Sequence, residues 1–566
     1  MGRFWIGSVL VLALGCGTPS TLVRDPEPAE TPPERVQITI VGTNDHHGHI
    51  QWLPLLGGHL RNLRADVESQ GGGVLLIDGG DLFQGTLQSN MVEGASVIRG
   101  YNLLGYHAAT VGNHEFDFGP VGDAVVPEAD DDDPRGALFA RAAEAEFPFL
   151  AANLLDRESG EPVRWDPIRP TARVEVAGGV PVGIIGVTAE NTLVTTIAGN
   201  VADLAMAPVA EAIRTHAGAL RDAGAKIVVV AAHAGGKCHD FENPRDLTSC
   251  EPEEIFEVAE ALPEGTVDAI VAGHTHQGVA HFVNGIPIIE SFAYGVAFGR
   301  IDLTYDRTLA RVVETEIHPP YFMCGDGETE LADCTPREYA GATVIADPRV
   351  GSVVGEDLAR ADALQSRELG VTLTESFVAA RAEASALGNL VADMVREARD
   401  GDVGLMNGGG LRASLPSGPL TYGAFYTMFP FDNRFAIAEV RGIELKALVE
   451  ENLRNGDGIY SFSGITIQAS CGPAGGYLVE LRRDNGRPIA DDETLRLVLS
   501  DYLATGASPI LTAIRSDGRT EVESGEPIRE TLVRMLEARG GELRPSDYHD
   551  AEAPRFRFPS RPLSCR

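Results

Sequence analysis

The chain has 566 residues, a formal net charge of −36 from 46 basic and 82 acidic side chains, and a 43% hydrophobic share. That length suggests two or more domains, and the apolar share suffices for real cores and excludes a disordered chain. The acidic balance argues against binding a nucleic-acid polymer, which needs a basic footprint, so an anionic substrate would need bound metals or a few placed arginines.

Arg3 precedes an apolar run from Phe4 to Leu14, too short for the ~20 residues that span a bilayer and placed where a signal peptide belongs. Gly15-Cys16 at its end resembles the lipobox of bacterial lipoproteins. Residues 1–16 therefore read as a signal peptide with a lipidated cysteine, ordinary signal cleavage being the alternative. Either sends the chain to the periplasm or cell envelope, with a lipid anchor as the only expected membrane contact. Residues 17–35, rich in Pro, Thr and Glu, read as a flexible tether.

With Cys16 set aside, the remaining cysteines are even in number, which favours disulfides in an exported chain. Cys238 with Cys250 and Cys324 with Cys334 are natural local staples, and Cys471 with Cys565 would close the end of the chain onto the second domain. The acidic run Asp130 to Asp133 lacks the spacing of a calcium loop and reads as solvated.

From Val36 onward strand-like and helix-like segments alternate. Val36 to Gly42 alternates apolar and polar residues, Gly58 to Ser69 has helical periodicity, and Val74 to Ile77 is a buried run. A helix from Ala95 to Leu104, a strand from Ala108 to Val111, a helix from Gly136 to Ala145 and a strand from Phe149 to Ala152 follow. Gly178-Gly179 predicts a hairpin turn into Val180 to Val187. A helix from Ala207 to Ala223 precedes the strand Ile227 to Ala232, and one from Pro252 to Leu262 precedes Ala269 to Ala272. The pattern predicts a layered α/β domain with a sandwich of sheets.

Five of these strands end in ligand-type residues: Asp45 and His47; Asp81; Asn113 and His114; His233; His274 and His276. Carboxylates, imidazoles and an amide without a thiolate suit a pair of borderline or hard divalent ions such as Mn, Zn, Fe or Mg. Two cations ~3.5–4 Å apart can clamp an in-line displacement at phosphorus and lower the pKa of a bridging water. Asp81, last in Asp78-Gly79-Gly80-Asp81, is the natural shared carboxylate. Asn113-His114-Glu115-Phe116-Asp117 crowds together a candidate ligand, a candidate general acid and a carboxylate to orient it.

In the second half, a helical pattern runs from about Val350 to Leu369, and Gly370 to Tyr548 again mixes helices and strands. After Val403 to Met406, Asn407-Gly408-Gly409-Gly410-Leu411-Arg412 combines a loop that can approach a ligand closely with a bidentate anion donor.

The motifs Asn44-Asp45-His46-His47-Gly48-His49, Gly79-Gly80-Asp81, Gly112-Asn113-His114-Glu115-Phe116-Asp117, His233-Ala234-Gly235 and Gly273-His274-Thr275-His276 resemble those of the calcineurin-like metallophosphoesterases, in the longer forms of the 5′-nucleotidase branch. The resemblance implies a four-layer α/β/β/α sandwich over 36–340, a linker helix over 341–370, a mixed α/β substrate-binding domain over 371–550 and a tail over 551–566. It implies one metal held by Asp45, His47, Asp81 and His276, and another by Asp81, Asn113, His233 and His274. His114, paired with Asp117, would protonate the leaving oxygen or stabilise the transition state. Arg381 and Arg412 match phosphate-side arginines, Asn407 and Gly410 belong to the substrate-contacting loop, and Phe431 and Tyr502 match a clamp that stacks a nucleobase.

Relatives commonly continue Gly-Gly-Asp after Tyr-Leu-Ala, with the Asp on the ribose hydroxyls. This chain has Thr505-Gly506-Ala507-Ser508, so Ser508 would stand in the ribose position and weaken or remake that contact. The implied activity is hydrolysis of nucleoside 5′-monophosphates by in-line attack of metal-bound hydroxide. The alternatives are a 2′,3′-cyclic-nucleotide phosphodiesterase with 3′-nucleotidase activity, a nucleotide-sugar hydrolase, another phosphoesterase, or a metal-binding surface protein without catalysis. The expected partner is a small phosphate ester, with monomer and dimer both open.

Overall fold

The computed structural model describes residues 1–2, 34–122, 124–129, 131–325, 331, 334–335, 337–381, 383–454, 458–472, 476–505, 508–523, 525–559 and 565. The leader with Cys16, the tether before Glu34, and Asp130, Gly506 and Ala507 lie outside the described residues.

The first half is a four-layer α/β/β/α sandwich. One sheet has the strand order Arg311–Phe322, Ala297–Asp306, Arg35–Thr43, Gly73–Asp78, Ala108–Thr110, Phe149–Leu150, Ile168–Arg169. The other runs Gly278–Val283, Ile286–Ser291, Ala269–Ala272, Ile227–His233, Val180–Thr188, Thr171–Val176. Between the sheets, Ile38, Ile40, Leu75 and Ile77 pack on Val182, Ile184, Val229 and Ala231. Fully burying an isoleucine, leucine or valine of this kind stabilises by roughly 1.5–3 kcal/mol. The helices Leu53–Ser69 and Ala95–Leu104 cover one outer face, and Val209–Asp222 with Glu254–Ala261 covers the other.

Within the sheets, Arg35–Thr43, Gly73–Asp78 and Ala108–Thr110 run parallel, as do Val180–Thr188, Ile227–His233 and Ala269–Ala272. Parallel strands present their carboxyl ends on one edge, where α/β folds place ligands.

The helix expected from Gly58 begins at Leu53, because Pro54 suits a first helical turn. The helix expected to reach Leu369 ends at Gln365, and Glu368–Leu373 is a strand. Leu369, Val371 and Leu373 are buried in alternation, a period of two that the preceding helical pattern masks. The sequence reading assigns no helix or strand between 277 and 340, where the structure has antiparallel strands. Asn284-Gly285, both at positive φ, makes the two-residue turn that joins Gly278–Val283 to Ile286–Ser291, a legible hairpin signal.

The second half holds a five-stranded sheet ordered Tyr460–Ser463, Val403–Asn407, Thr494–Ser500, Phe435–Arg441, Thr520–Val522, flanked by helices Ala386–Ala398 and Gly442–Arg454. The helix Pro348–Gln365 joins the halves, capped at its start by the Asp347 carboxylate. Disulfides link Cys238 to Cys250, Cys324 to Cys334 and Cys471 to Cys565. Among the described residues no helix is long and apolar enough to cross a membrane.

Candidate active site

Asp45 and His47 follow Arg35–Thr43, Asp81 follows Gly73–Asp78, and Asn113 and His114 follow Ala108–Thr110. His233 ends Ile227–His233, while His274 and His276 follow Ala269–Ala272. The backbone bends sharply at these strand ends. Asp45, His47, Asp81, His274 and His276 all have positive φ, between 48° and 87°. Left-handed backbone is unfavourable for side-chain-bearing residues and gathers where function fixes it.

The bends bring two clusters together. In one, His276 Nε2 lies 3.3 Å from Asp45 Oδ1 and 3.0 Å from His47 Nε2. In the other, His233 Nε2 lies 3.1 Å from Asp81 Oδ2, 2.9 Å from Asn113 Oδ1 and 3.2 Å from His274 Nδ1. Asp81 Oδ2 is also 3.8 Å from His47 Nε2, so this carboxylate reaches both clusters. Backbone carbonyls fix two of the rings: His47 Nδ1 donates to Gln84 O at 2.7 Å and His233 Nδ1 to Gly79 O at 2.9 Å. Each such bond leaves Nε2 with a lone pair to offer a metal.

This donor set fits divalent cations, and one atom asks for a partner: Asp45 Oδ1 is buried without a hydrogen bond. The electrostatics agree. Burial opposes ionisation of Asp81, but the imidazoles of His233, His114 and His47 outweigh it and hold the carboxyl well below its ordinary range. Burial and the neighbouring His276 push the pKa of His47 well down, and burial with His233 lowers that of His274 to about 4. Both rings are thereby kept neutral, as a ligand must be.

His114 is set apart. Its Nδ1 lies 2.5 Å from Asp117 Oδ2, and the other Asp117 oxygen accepts from the Thr196 hydroxyl at 2.8 Å. Burial opposes a charged ring, yet Asp117 and Asp81 overcome it and raise the pKa above its ordinary value. Against the same opposing effect of burial, Asp81 also raises His233, to about 10, so it is the Asp117 partner rather than the retained proton alone that distinguishes His114.

A cavity of about 730 Å³ opens over Asp81, Asn113, His114, His274 and His276. Asp45, His47 and His233 lie buried behind these residues. The second half closes the cavity with Arg381, Asn407, Gly410, Arg412, Phe431 and Tyr502. The ring of Phe431 stacks 6.0 Å from that of His114, and the Arg412 guanidinium lies 5.9 Å from the Phe431 ring. Of the sequence-predicted site residues, only Ser508 is elsewhere. It is fully buried as the N-cap of Pro509–Ser516 and donates to Glu451 Oε2 at 2.8 Å. A residue before Pro at a helix start is placed by capping, and here that turns the hydroxyl away from the cavity.

Sequence reasoning gives no role to several supporting side chains. The buried Glu115 carboxylate accepts from the N–H groups of Gly112, Asp81 and Leu82 at 2.6–2.9 Å, joining two ligand loops. Asn44 donates to Asp45 Oδ2 at 2.7 Å, and Tyr294 enters the cavity beside His47 and His276. Both Glu115 and Asn44 sit inside the quoted motifs, which is the only signal that pointed to them.

Residues 38–278 match the sequence model of calcineurin-like phosphoesterases, and residues 365–513 that of the 5′-nucleotidase C-terminal domain. A Bacillus subtilis protein named Endonuclease YhcR is 27% identical over 522 residues, which are 88% of this chain and 40% of that protein, so the chain spans well under half of that relative's length. A 5′-nucleotidase of Vibrio cholerae is 25% identical over 547 residues, covering 89% of this chain and 90% of that one. The crystal structure of a 5′-nucleotidase precursor from Thermus thermophilus shares the fold, with a TM-score of 0.66, 23% identity, and coverage of 89% of this chain and 97% of its own.

Proposed function

The chain belongs to the calcineurin-like phosphoesterases that carry a 5′-nucleotidase C-terminal domain, hydrolases of phosphoric esters, and from that premise we propose that it cleaves nucleoside 5′-monophosphates to nucleoside and phosphate. One observation carries the reading: the His114–Asp117 pair, two arginines and two aromatic rings line one cavity, and both ligand clusters reach its wall through Asp81, His274 and His276. Asp45, His47, Asp81 and His276 would hold one divalent ion, and Asp81, Asn113, His233 and His274 a second. Bound there, such ions supply water activation and neutralise phosphoryl charge. Arg381 and Arg412 grip the phosphate from the second half, where planar guanidinium forks suit its oxygens. Asp117 takes the Nδ1 hydrogen bond of His114, which leaves Nε2 to deliver a proton to the departing ester oxygen. Phe431 and Tyr502 offer ring faces to a base.

The test is phosphate release from AMP, UMP, UDP-glucose, cyclic 2′,3′-AMP and p-nitrophenyl phosphate with Mn or Zn, for wild type and Asp81→Ala. Preferred cleavage of AMP or UMP that Asp81→Ala abolishes supports the reading, and preference for another ester reassigns the substrate. Metal binding without any cleavage would leave a binding protein. Ser508→Asp is no probe of the ribose contact, since it would bury a carboxylate against Glu451. A polymer substrate is disfavoured by the net charge of −36. The disulfides support export, and the mass of the mature N-terminal peptide would tell a lipidated Cys16 from plain cleavage.

A further inference from the structure

Glu290, in the strand Ile286–Ser291, has no place among the ligands, the acid or the substrate contacts, yet it is 1% exposed and ties together two ligand loops. Its Oε2 accepts from the Gly236 N–H at 2.9 Å, in the loop that follows His233. Its Oε1 accepts from the Thr275 N–H at 3.2 Å and lies 2.6 Å from the Thr275 hydroxyl, between His274 and His276. That hydroxyl is also 2.7 Å from the Gly236 carbonyl. The seam has no slack: a Cβ on Gly235 would stand 2.7 Å from both Glu290 Oε2 and Thr275 Cγ2.

Counting protons along this seam fixes the form of the carboxyl. Glu290 Oε1, Thr275 Oγ1 and Gly236 O make a row of three oxygens at hydrogen-bond spacing, and the hydroxyl brings one proton for two bonds. The second proton belongs on Glu290, which then donates to Thr275, which donates to Gly236. A neutral acid also avoids setting another negative charge near Asp45. Burial, the largest influence on this carboxyl, raises its pKa well above the ordinary value, in accord with the count.

We infer that Glu290 is a positioning residue which, as a neutral acid, straps the His233 loop to the His274–His276 loop and so sets the affinity of the Asp81–His233–His274 cluster for its divalent cation. The inference rests on the reading that this cluster binds metal.

The test is a chelator-buffered titration of the full chain with Mn and with Zn, following metal bound per chain alongside the melting temperature of the metal-free protein. Glu290→Ala weakens metal binding about 10–100-fold, the usual cost of losing a group that orients ligands. Glu290→Gln keeps more of the affinity than Glu290→Ala, because its amide can donate to the Thr275 hydroxyl and accept from the Gly236 N–H, giving up only the bond from the Thr275 N–H. Thr275→Val, which removes only the hydroxyl in the row, weakens binding in the same direction as Glu290→Ala and decides the matter if the alanine variant does not fold. Wild-type affinity in both Glu290→Ala and Thr275→Val overturns the strap. Glu290→Gln as weak as Glu290→Ala overturns the neutral form. A wild type that binds neither cation sinks the metal reading and the strap with it, an outcome separate from variants that bind as well as a metal-binding wild type.

Discussion

His114 carries the most specific chemistry that one residue supplies here, because its ring lines the cavity beside both clusters while Asp117 holds its Nδ1. If it acts as the acid, His114→Ala lowers kcat by about 10²–10⁴-fold and leaves the bound metal unchanged, measured by steady-state kinetics and metal analysis on one sample. Equal loss of metal would instead make it a ligand. Gly112 is a second single-residue test. A Cβ there would run into the Asp81 carboxylate. Gly112→Ala should therefore displace the Asp81 carboxylate and lower metal affinity, read by the same titration, whereas Gly218→Ala, in the helix Val209–Asp222 and facing open space, should not.

The elements do their work at their ends. Short parallel strands stop in left-handed turns, and the carboxyl groups of Glu115 and Glu290 seal neighbouring turns to each other. The short helix Asp501–Thr505 plays a similar part opposite, carrying Tyr502 to the cavity. Its first residue is buried, and burial pushes the Asp501 carboxyl up to about 6 despite hydrogen bonds from the Arg434 and Tyr502 regions. The sign follows from linkage. Below its ordinary value near 3.8 the carboxyl is protonated both folded and unfolded, and its contribution to stability is complete; that contribution is lost as pH rises through about 6. A gap of roughly two units corresponds to about 3 kcal/mol. Urea unfolding in the presence of chelator should show Asp501→Asn gaining on wild type by up to that amount between pH 4 and pH 7. A constant difference across that range would place the carboxyl at its ordinary value.

At the scale of the whole molecule the cavity exists only because two halves with separate cores face each other. The contact is direct: Gln84 Nε2 donates to the Pro430 carbonyl at 3.3 Å, and Arg529 donates to the same carbonyl at 3.1 Å. The aromatic loop is thus seated against the ligand loops from both sides. Stacking holds ground state and transition state alike, so Phe431→Ala and Tyr502→Ala should raise KM for a nucleotide with little change in kcat, at about 1–3 kcal/mol per ring. Neither should alter cleavage of p-nitrophenyl phosphate as much as cleavage of AMP. Stripping divalent cations with chelator should lower the melting temperature, and Mn or Zn should restore it, since a ligand that binds only the folded chain stabilises it.

The chemistry was legible in the sequence because ligand chemistry lives in side-chain identity and in position at the end of an apolar run. Asp45, His47, Asp81, Asn113, His233, His274 and His276 could be picked out as a set from five strand ends, and the cysteine pairs from their spacing. The layered sandwich was legible from alternating periodicities. Several features were decided only in three dimensions. A helical pattern through Leu369 hid the strand Glu368–Leu373, since local spacing cannot say which face meets a neighbour. Ser508 was drawn into a helix cap against Glu451, a partner 57 residues away in sequence. Glu290 looks like any strand glutamate until folding sets it between Gly236 and Thr275. Sequence determines which groups can ligate, donate or stack; the tertiary fold determines which are buried together, and burial and proximity set their protonation and their task.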